Sequence, residues 1–143
     1  MTVSAILKHK GTNVASVSPG NSLADVANVL AFRRIGAVVV LEGDALVGII
    51  TERDIIYALA GHGAEAMGMK VAALMITEVH TATMATTYDD AIRAMTDGRF
   101  RHMPVLEGKR LAGIVSIGDV VKARMMEQEA EVDGLRAYVA GSA

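Results

Sequence analysis

The sequence contains no cysteine and no tryptophan, and only three tyrosines and two phenylalanines occur in its 143 residues. Without cysteine, disulfides and thiolate-bound metals are excluded. Few aromatics, and charges of both signs mixed along the chain at a net charge of −2, argue against a nucleic-acid partner. No uncharged apolar run approaches the ~18 residues of a membrane span, and the first ten residues lack the apolar core of a signal peptide. We therefore expect a cytoplasmic protein with no membrane partner.

What the sequence does contain is an internal repeat. Residues 14–54 align with residues 79–119 without a gap, at an offset of 65, and eleven of the 41 aligned pairs are identical. Most of the identities fall in the second half of the unit, which favours a duplication over chance similarity. A preceding segment also matches, Val3–Leu7 against Val71–Met75, with three extra residues in the first copy.

Each copy predicts the same order of elements. A short β-prone stretch leads to a helix start at which a hydroxyl precedes an acid by three residues, as in Ser22 with Asp25 and Thr87 with Asp90. This is the capping-box spacing. Two apolar strands follow around a turn with glycine, Gly43 in one copy and Gly108 in the other, and a second helix comes after them. Each copy is thus predicted to be a βαββα unit.

The predicted fold class is α+β, with two tandem βαββα repeats packed sheet to sheet about a pseudo-two-fold axis. The repeats are expected to span residues 1–66 and 67–143, and the second carries an extended C-terminal helix. A unit of about 60 residues buries too little surface to be robust alone. The two repeats should therefore form one globular pair, which leaves two equivalent clefts between them.

A short motif ends the second hairpin strand of each copy. It reads Gly48-Ile-Ile-Thr51-Glu-Arg-Asp54 in the first copy and Gly113-Ile-Val-Ser116-Ile-Gly-Asp119 in the second. A hydroxyl at a helix N-terminus, beside free N–H groups and the positive end of the helix dipole, suits a phosphate. A carboxylate one turn later can accept two hydrogen bonds from a vicinal diol. The same spacing is also a plain capping box, and the two roles are compatible.

With both motifs intact and in order, nearly the whole chain resembles the CBS (cystathionine β-synthase) domain family, as a tandem pair or Bateman module. The resemblance implies that the hydroxyl contacts phosphate, the acid holds the ribose diol and adenine lies in an apolar slot between the repeats. It also implies a non-catalytic, regulatory sensor of adenine nucleotides. AMP is the favoured ligand because one phosphate suits a modest basic lining, and ATP, ADP, NADH and S-adenosylmethionine remain open.

The resemblance further implies that each cleft combines the motif of one repeat with the segment before the hairpin of the other. The first cleft would contain Thr51, Arg53, Asp54, Arg101, His102, Met103 and Pro104. The second would contain Ser116, Asp119, Gly36, Ala37 and Val38, together with Ser16, Val17 and Ser18. The first set is rich in basic residues and the second has almost none, so the first cleft is predicted to bind a phosphate-bearing ligand more tightly, unless the two phosphate ends meet centrally and share charges. Alternatively, the two arginines are solvated surface charges and the histidine is a hydrogen-bonded structural residue.

Two other classes of protein are compatible with parts of the pattern. An enzyme would need a nucleophile with a base, paired carboxylates or a metal, and neither a Walker loop nor a Gly-x-Gly-x-x-Gly fingerprint is present. His9, His62 and His80 lack ligand spacing, so no metal site is expected. A protein-interaction module with empty clefts stays open as the alternative.

The amphipathic stretch 120–138 predicts either packing onto its own core or a homodimer contact, and a protein target remains unknown.

Overall fold

Helices and strands follow one another in the same order in both halves of the chain. The computed structural model describes residues 1–142 and the side chains of residues 1–141. The strands are β1 (Ser16–Val17), β2 (Ala37–Glu42), β3 (Ala45–Thr51), β4 (Ala82–Thr83), β5 (His102–Glu107) and β6 (Arg110–Ser116). The helices are α1 (Val3–Lys10), α2 (Leu23–Arg33), α3 (Glu52–His62), α4 (Val71–Leu74), α5 (Tyr88–Gly98) and α6 (Ile117–Ser142), with a 3₁₀ helix at Gly63–Gly68. The predicted α+β class and the duplicated unit are confirmed.

Each half forms a three-stranded sheet of the same topology. The strand orders are β1-β2-β3 and β4-β5-β6, and in each sheet the first pair is parallel and the second is an antiparallel hairpin. Gly43 and Gly108 turn the two hairpins with φ angles of 63° and 64°. Glycine is the residue that adopts such positive φ values without strain. The hairpin prediction is therefore correct in both copies.

The two repeats exchange their leading helices. In the second repeat, Val3, Ile6 and Leu7 of α1 are buried in the same cluster as residues of α5, β5 and β6. In the first repeat, Val71 of α4 is buried in the same cluster as residues of α2, β2 and β3. The sequence match between the two leading segments is real, but each segment completes the core of the other repeat. The boundaries at 66 and 67 thus remain a prediction about the sequence repeats, and Ala143 lies outside the described residues.

Two equivalent glycines lie where these exchanged segments cross the sheets. A Cβ atom placed on Gly113 would come within 2.7 Å of Leu7 Cδ2. A Cβ atom placed on Gly48 would lie 2.7 Å from Met75 Sδ and 3.0 Å from the carbonyl oxygen of Ile76. Since Ile76 also forms two backbone hydrogen bonds with Ile49 of β3, at 3.0 and 2.9 Å, its carbonyl has little freedom to move.

We expect Gly48→Ala to lower the free energy of unfolding by about 1–3 kcal/mol, the usual cost of overpacking. Urea denaturation of the full chain measures the change. Gly20→Ala is the matched control, because a Cβ there meets no atom within 4 Å. Equal stability of the two variants would contradict the close approach at β3.

Helix α6 is longer than the predicted stretch 120–138. Its first turns pack on the second repeat: Val120 is buried, and Arg124 Nε donates to Asp89 Oδ1 at 3.2 Å. Farther along, Val132 and Leu135 are 47% and 64% exposed, so this part of the helix does not pack onto its own core. Among residues 1–142, no helix combines the length and the apolar character needed to cross a membrane.

Candidate functional site

The motif of the first repeat forms the junction between β3 and α3. Thr51 is the N-cap of α3, where its Oγ1 accepts from the backbone N–H of Asp54 at 3.3 Å. In return, Asp54 Oδ2 accepts from the backbone N–H of Thr51 at 2.8 Å and from its hydroxyl at 3.0 Å. The capping box is therefore formed, and Asp54 Oδ1 accepts no hydrogen bond from residues 1–142. That oxygen is available to a ligand.

The motif of the second repeat makes the same junction between β6 and α6, with one difference. Ser116 Oγ accepts from the backbone N–H of Asp119 at 3.1 Å, and Asp119 Oδ2 accepts from the backbone N–H of Ser116 at 2.9 Å. The carboxylate of Asp119 also forms an ion pair with Lys10, whose Nζ lies 2.7 Å from the same oxygen. Burial would raise the pKa of Asp119, but hydrogen bonds from Lys10 and Ser116 together lower it below its ordinary value.

A cavity of about 430 Å³ lies beside the first motif, and we call it the first cleft. Its size is in the range of small-ligand pockets. Its wall unites residues from both repeats, as the sequence predicted. The lining residues are Gly36, Ile49, Thr51, Glu52, Arg53, Asp54, Tyr57, Ile76, Glu78, Val79, His80, Gly98, Arg99, Phe100, Arg101 and His102.

Three arginines on this wall have no ion-pair partner within the described residues. Arg53, Arg99 and Arg101 are exposed, and none of them pairs with a carboxylate among residues 1–142. Guanidinium groups in this state can bind a phosphate with two parallel hydrogen bonds. The first cleft is therefore suited to an anionic ligand, although Glu52 and Glu78 on the same wall moderate its charge.

His102 lies where the first cleft meets a second cavity. Its ring makes no hydrogen bond with residues 1–142, so it is not the hydrogen-bonded structural histidine that one interpretation predicted. Burial, reinforced by the positive charge of Lys10, lowers the pKa of His102, against the opposing effect of Glu52 and Asp119. The ring is thus neutral at pH 7 and can donate or accept a hydrogen bond.

The second cavity has a volume of about 760 Å³, and we call it the second cleft. It lies between α2, α3 and the start of α6. Its lining residues are Ala27, Leu30, Ala31, Arg34, Ile35, Gly36, Glu52, Ile55, Ile56, Arg101, His102, Ser116, Ile117 and Gly118. Ser116 and Gly36 meet here as predicted, whereas Asp119 is not part of this wall.

The other predicted site residues lie outside both cavity walls. Met103 and Pro104 are buried in β5, and Ala37 and Val38 are buried in β2. The segment Ser16–Ser18 forms β1 and the turn after it, in which Ser18 binds the side chain of Asn21. A role for these residues in ligand binding stays a prediction.

Several wall residues were not predicted from the sequence. His80, for which the sequence predicted no role in a site, stacks on Phe100 with ring centroids 4.6 Å apart and an interplanar angle of 7°. Ile76 and Val79 supply an apolar surface next to this pair. The internal repeat did contain a signal for Arg99, because it is one of the eleven identical pairs, with Arg34. No cluster of three potential metal-binding side chains occurs in the described part of the chain.

Comparisons with known proteins agree with this architecture. The CBS domain model matches twice, over residues 3–61 and 71–126. A mitochondrial CBS domain-containing protein of Arabidopsis thaliana is 36% identical over 98% of this chain and 72% of its own length. A crystal structure of a CBS-domain containing protein from Agrobacterium tumefaciens is 45% identical, covering 87% of this chain and 99% of the other, with a TM-score of 0.85.

A third relative was crystallised with a nucleotide. The structure of CBSX2 in complex with AMP is 25% identical, covers 82% of this chain and 92% of the other, and superposes with a TM-score of 0.72. The two family matches, the duplicated βαββα unit and these structures lead to one conclusion: the chain belongs to the CBS domain family, as a tandem pair.

Proposed function

We propose that this CBS pair is a non-catalytic regulatory module that binds an adenine nucleotide, AMP in preference to ATP, ADP or NADH, in the first cleft. One observation carries the proposal: Thr51 and Asp54 line the same cavity as three arginines that have no ion-pair partner among residues 1–142. Each part of a nucleoside monophosphate then has a complementary group.

The sugar and the phosphate are assigned to the polar end of the wall. Asp54 Oδ1, which accepts no hydrogen bond from residues 1–142, would accept from the ribose diol. Thr51 and the first N–H groups of α3 would contact the phosphate, since a helix N-terminus attracts anions. Arg53 and Arg101 would supply the opposite charge.

The base is assigned to the apolar end. Ile49, Ile76 and Val79 would enclose the adenine, next to the stacked pair of His80 and Phe100. Ligand sites of this size are lined mainly by such side chains, with a few polar groups that fix orientation. A larger ligand such as NADH could reach the second cleft, because Gly36, Glu52, Arg101 and His102 line both cavities. The relative solved with AMP supports the preference for the smaller ligand.

Thermal unfolding with added nucleotide tests the proposal. A ligand present at a hundredfold excess over its dissociation constant stabilises the fold by ~2.7 kcal/mol, and each kcal/mol raises Tm by roughly 2–4 °C for a chain somewhat larger than this one. We expect a rise of about 5–10 °C with AMP and smaller rises with ATP, ADP and NADH at equal concentration. Adenosine and inorganic phosphate are the controls for the two halves of the ligand. No rise with any of the four nucleotides at millimolar concentration would favour a protein-interaction module instead.

The oligomeric state, the protein target and the location in the cell are also proposals. We propose a homodimer that pairs through helices such as α6, because Met125, Val132 and Leu135 are about half exposed or more on that helix. A cytoplasmic location and an unidentified protein target complete the proposed role, in which nucleotide binding changes self-association or the target. Light scattering with and without AMP would measure the change in self-association.

A further inference from the structure

The second cleft repeats part of the wall of the first. Seven of its lining residues are the repeat equivalents, 65 positions away, of residues that line the first cleft, and they form six pairs because Gly36 and Arg101 each line both clefts. The equivalent pairs are Arg34 and Arg99, Ile35 and Phe100, Gly36 and Arg101, Ser116 and Thr51, Ile117 and Glu52, and Gly118 and Arg53. The hydroxyl at a helix N-terminus and one arginine of the wall are thus present in both clefts, whereas Arg53 is replaced by Gly118 in the second.

The sugar end is not present twice. Ile49 and Asp54 line the first cleft, but their equivalents, Ile114 and Asp119, do not line the second. Lys10 lies against both of these residues. Its Nζ donates to the carbonyl oxygen of Ile114 at 3.1 Å and to Asp119 Oδ2 at 2.7 Å.

In the first cleft, a backbone N–H takes the place of the lysine as hydrogen-bond donor to the equivalent carbonyl. The carbonyl of Ile49 accepts from the backbone N–H of Ile76 at 2.9 Å, so the edge of β3 is covered by main chain. No cation contacts the carboxylate of Asp54 among the described residues. In the second cleft the lysine ammonium replaces the backbone donor and at the same time neutralises the acid.

The length of the leading segment explains why a lysine contacts the second motif and a backbone N–H the first. By the repeat alignment, the first copy has three more residues between Val3 and Val14 than the second has between Val71 and Val79. Helix α1 extends to Lys10 and is stopped by Gly11, whose φ of 91° turns the chain. The longer helix brings Lys10 to the edge of β6, whereas α4 ends at Leu74 and the chain continues as extended backbone along β3.

We propose that Lys10 fills the sugar end of the second cleft, so that the chain binds one nucleotide in the first cleft and none in the second. This inference rests on the proposed function. Lys10 Nζ lies against Asp119 Oδ2 and the carbonyl oxygen of Ile114, so a ribose that approached Asp119 would meet a neutralised carboxylate with the ammonium beside it. Because Lys10 and Asp119 are 39% and 29% exposed, removing the lysine should open the site without unfolding the chain.

Titration calorimetry with AMP on the full chain tests the inference. We expect one equivalent bound by the wild type and two by Lys10→Gln. The added equivalent should disappear in Lys10→Gln/Asp119→Asn and persist in Lys10→Gln/Asp54→Asn. Lys8→Gln is the matched control, since Lys8 is an exposed lysine of the same helix with no contact to the cleft, and it should leave one equivalent. Thermal melts verify that each variant is folded.

Three results would overturn the inference. They are two equivalents in the wild type, one equivalent in Lys10→Gln, and weaker AMP binding in Lys10→Gln, which would make Lys10 a ligand contact. If the wild type bound no AMP, the proposed function would fail separately. Lys10→Gln would still decide the inference in that case: binding that requires Asp119 would support it, and no binding would reject it.

Discussion

We expect Asp54→Asn to lower the affinity of the full chain for AMP by about 10- to 150-fold. A hydrogen bond to a charged group contributes about 1.5–3 kcal/mol, and each 1.4 kcal/mol is about a tenfold change in affinity. The amide oxygen of Asn can keep accepting from the backbone N–H of Thr51, so the cap at the start of α3 is largely preserved. The loss therefore reports the charge that Asp54 Oδ1 presents to the ribose diol. Calorimetry at constant ionic strength measures it.

Asp119→Asn is the internal control for this result. The same substitution at the equivalent residue changes the same capping position, but the carboxylate of Asp119 already forms an ion pair with Lys10 through Oδ2. We expect AMP affinity to change by less than about twofold, within the few tenths of a kcal/mol typical of surface substitutions. Equal losses at the two positions would contradict both the asymmetry of the clefts and the assignment of Asp54 as the main sugar-binding residue.

The parts of this site that the sequence predicted are those that depend on local spacing. A hydroxyl three residues before an acid forms a reciprocal capping box in both motifs, because one helical turn brings the two side chains to the same backbone N–H groups. The hairpins follow from apolar strands around Gly43 and Gly108 for the same reason. Repetition then made the prediction much stronger than a single occurrence of either pattern.

The parts that were not predicted depend on contacts distant in sequence. Lys10 and Asp119 are 109 residues apart, and no local pattern near Lys10 distinguishes it from the solvated Lys8. The stacking of His80 on Phe100 requires the path of the linker before β4, which periodicity does not determine. The sequence pattern predicted basic residues chiefly in the first cleft, whereas in the structure Arg34 and Arg101 also line the second cleft and Lys10 contacts Asp119.

The internal alignment also did not predict that the repeats exchange their leading helices. This exchange has a large effect on stability. Leu7 is 2% exposed and packs in the core of the second repeat, against β6 where Gly113 leaves room for it. We expect Leu7→Ala to lower the free energy of unfolding by about 2–5 kcal/mol, the range for a buried leucine that leaves a cavity. Denaturant titration measures the change, and hydrogen exchange locates it.

The region in which hydrogen exchange becomes faster distinguishes exchanged leading helices from two repeats that fold independently. Because α1 completes the core of the second repeat, hydrogen exchange should accelerate more in β5 and β6 than in β1, β2 and β3, although Leu7 belongs to the first repeat in sequence. Lys8→Ala, an exposed neighbour on the same helix, should change stability by less than about 0.5 kcal/mol. If faster exchange in Leu7→Ala were confined to β1, β2 and β3, α1 would pack on its own repeat, and Lys10 at its end could not reach the second cleft.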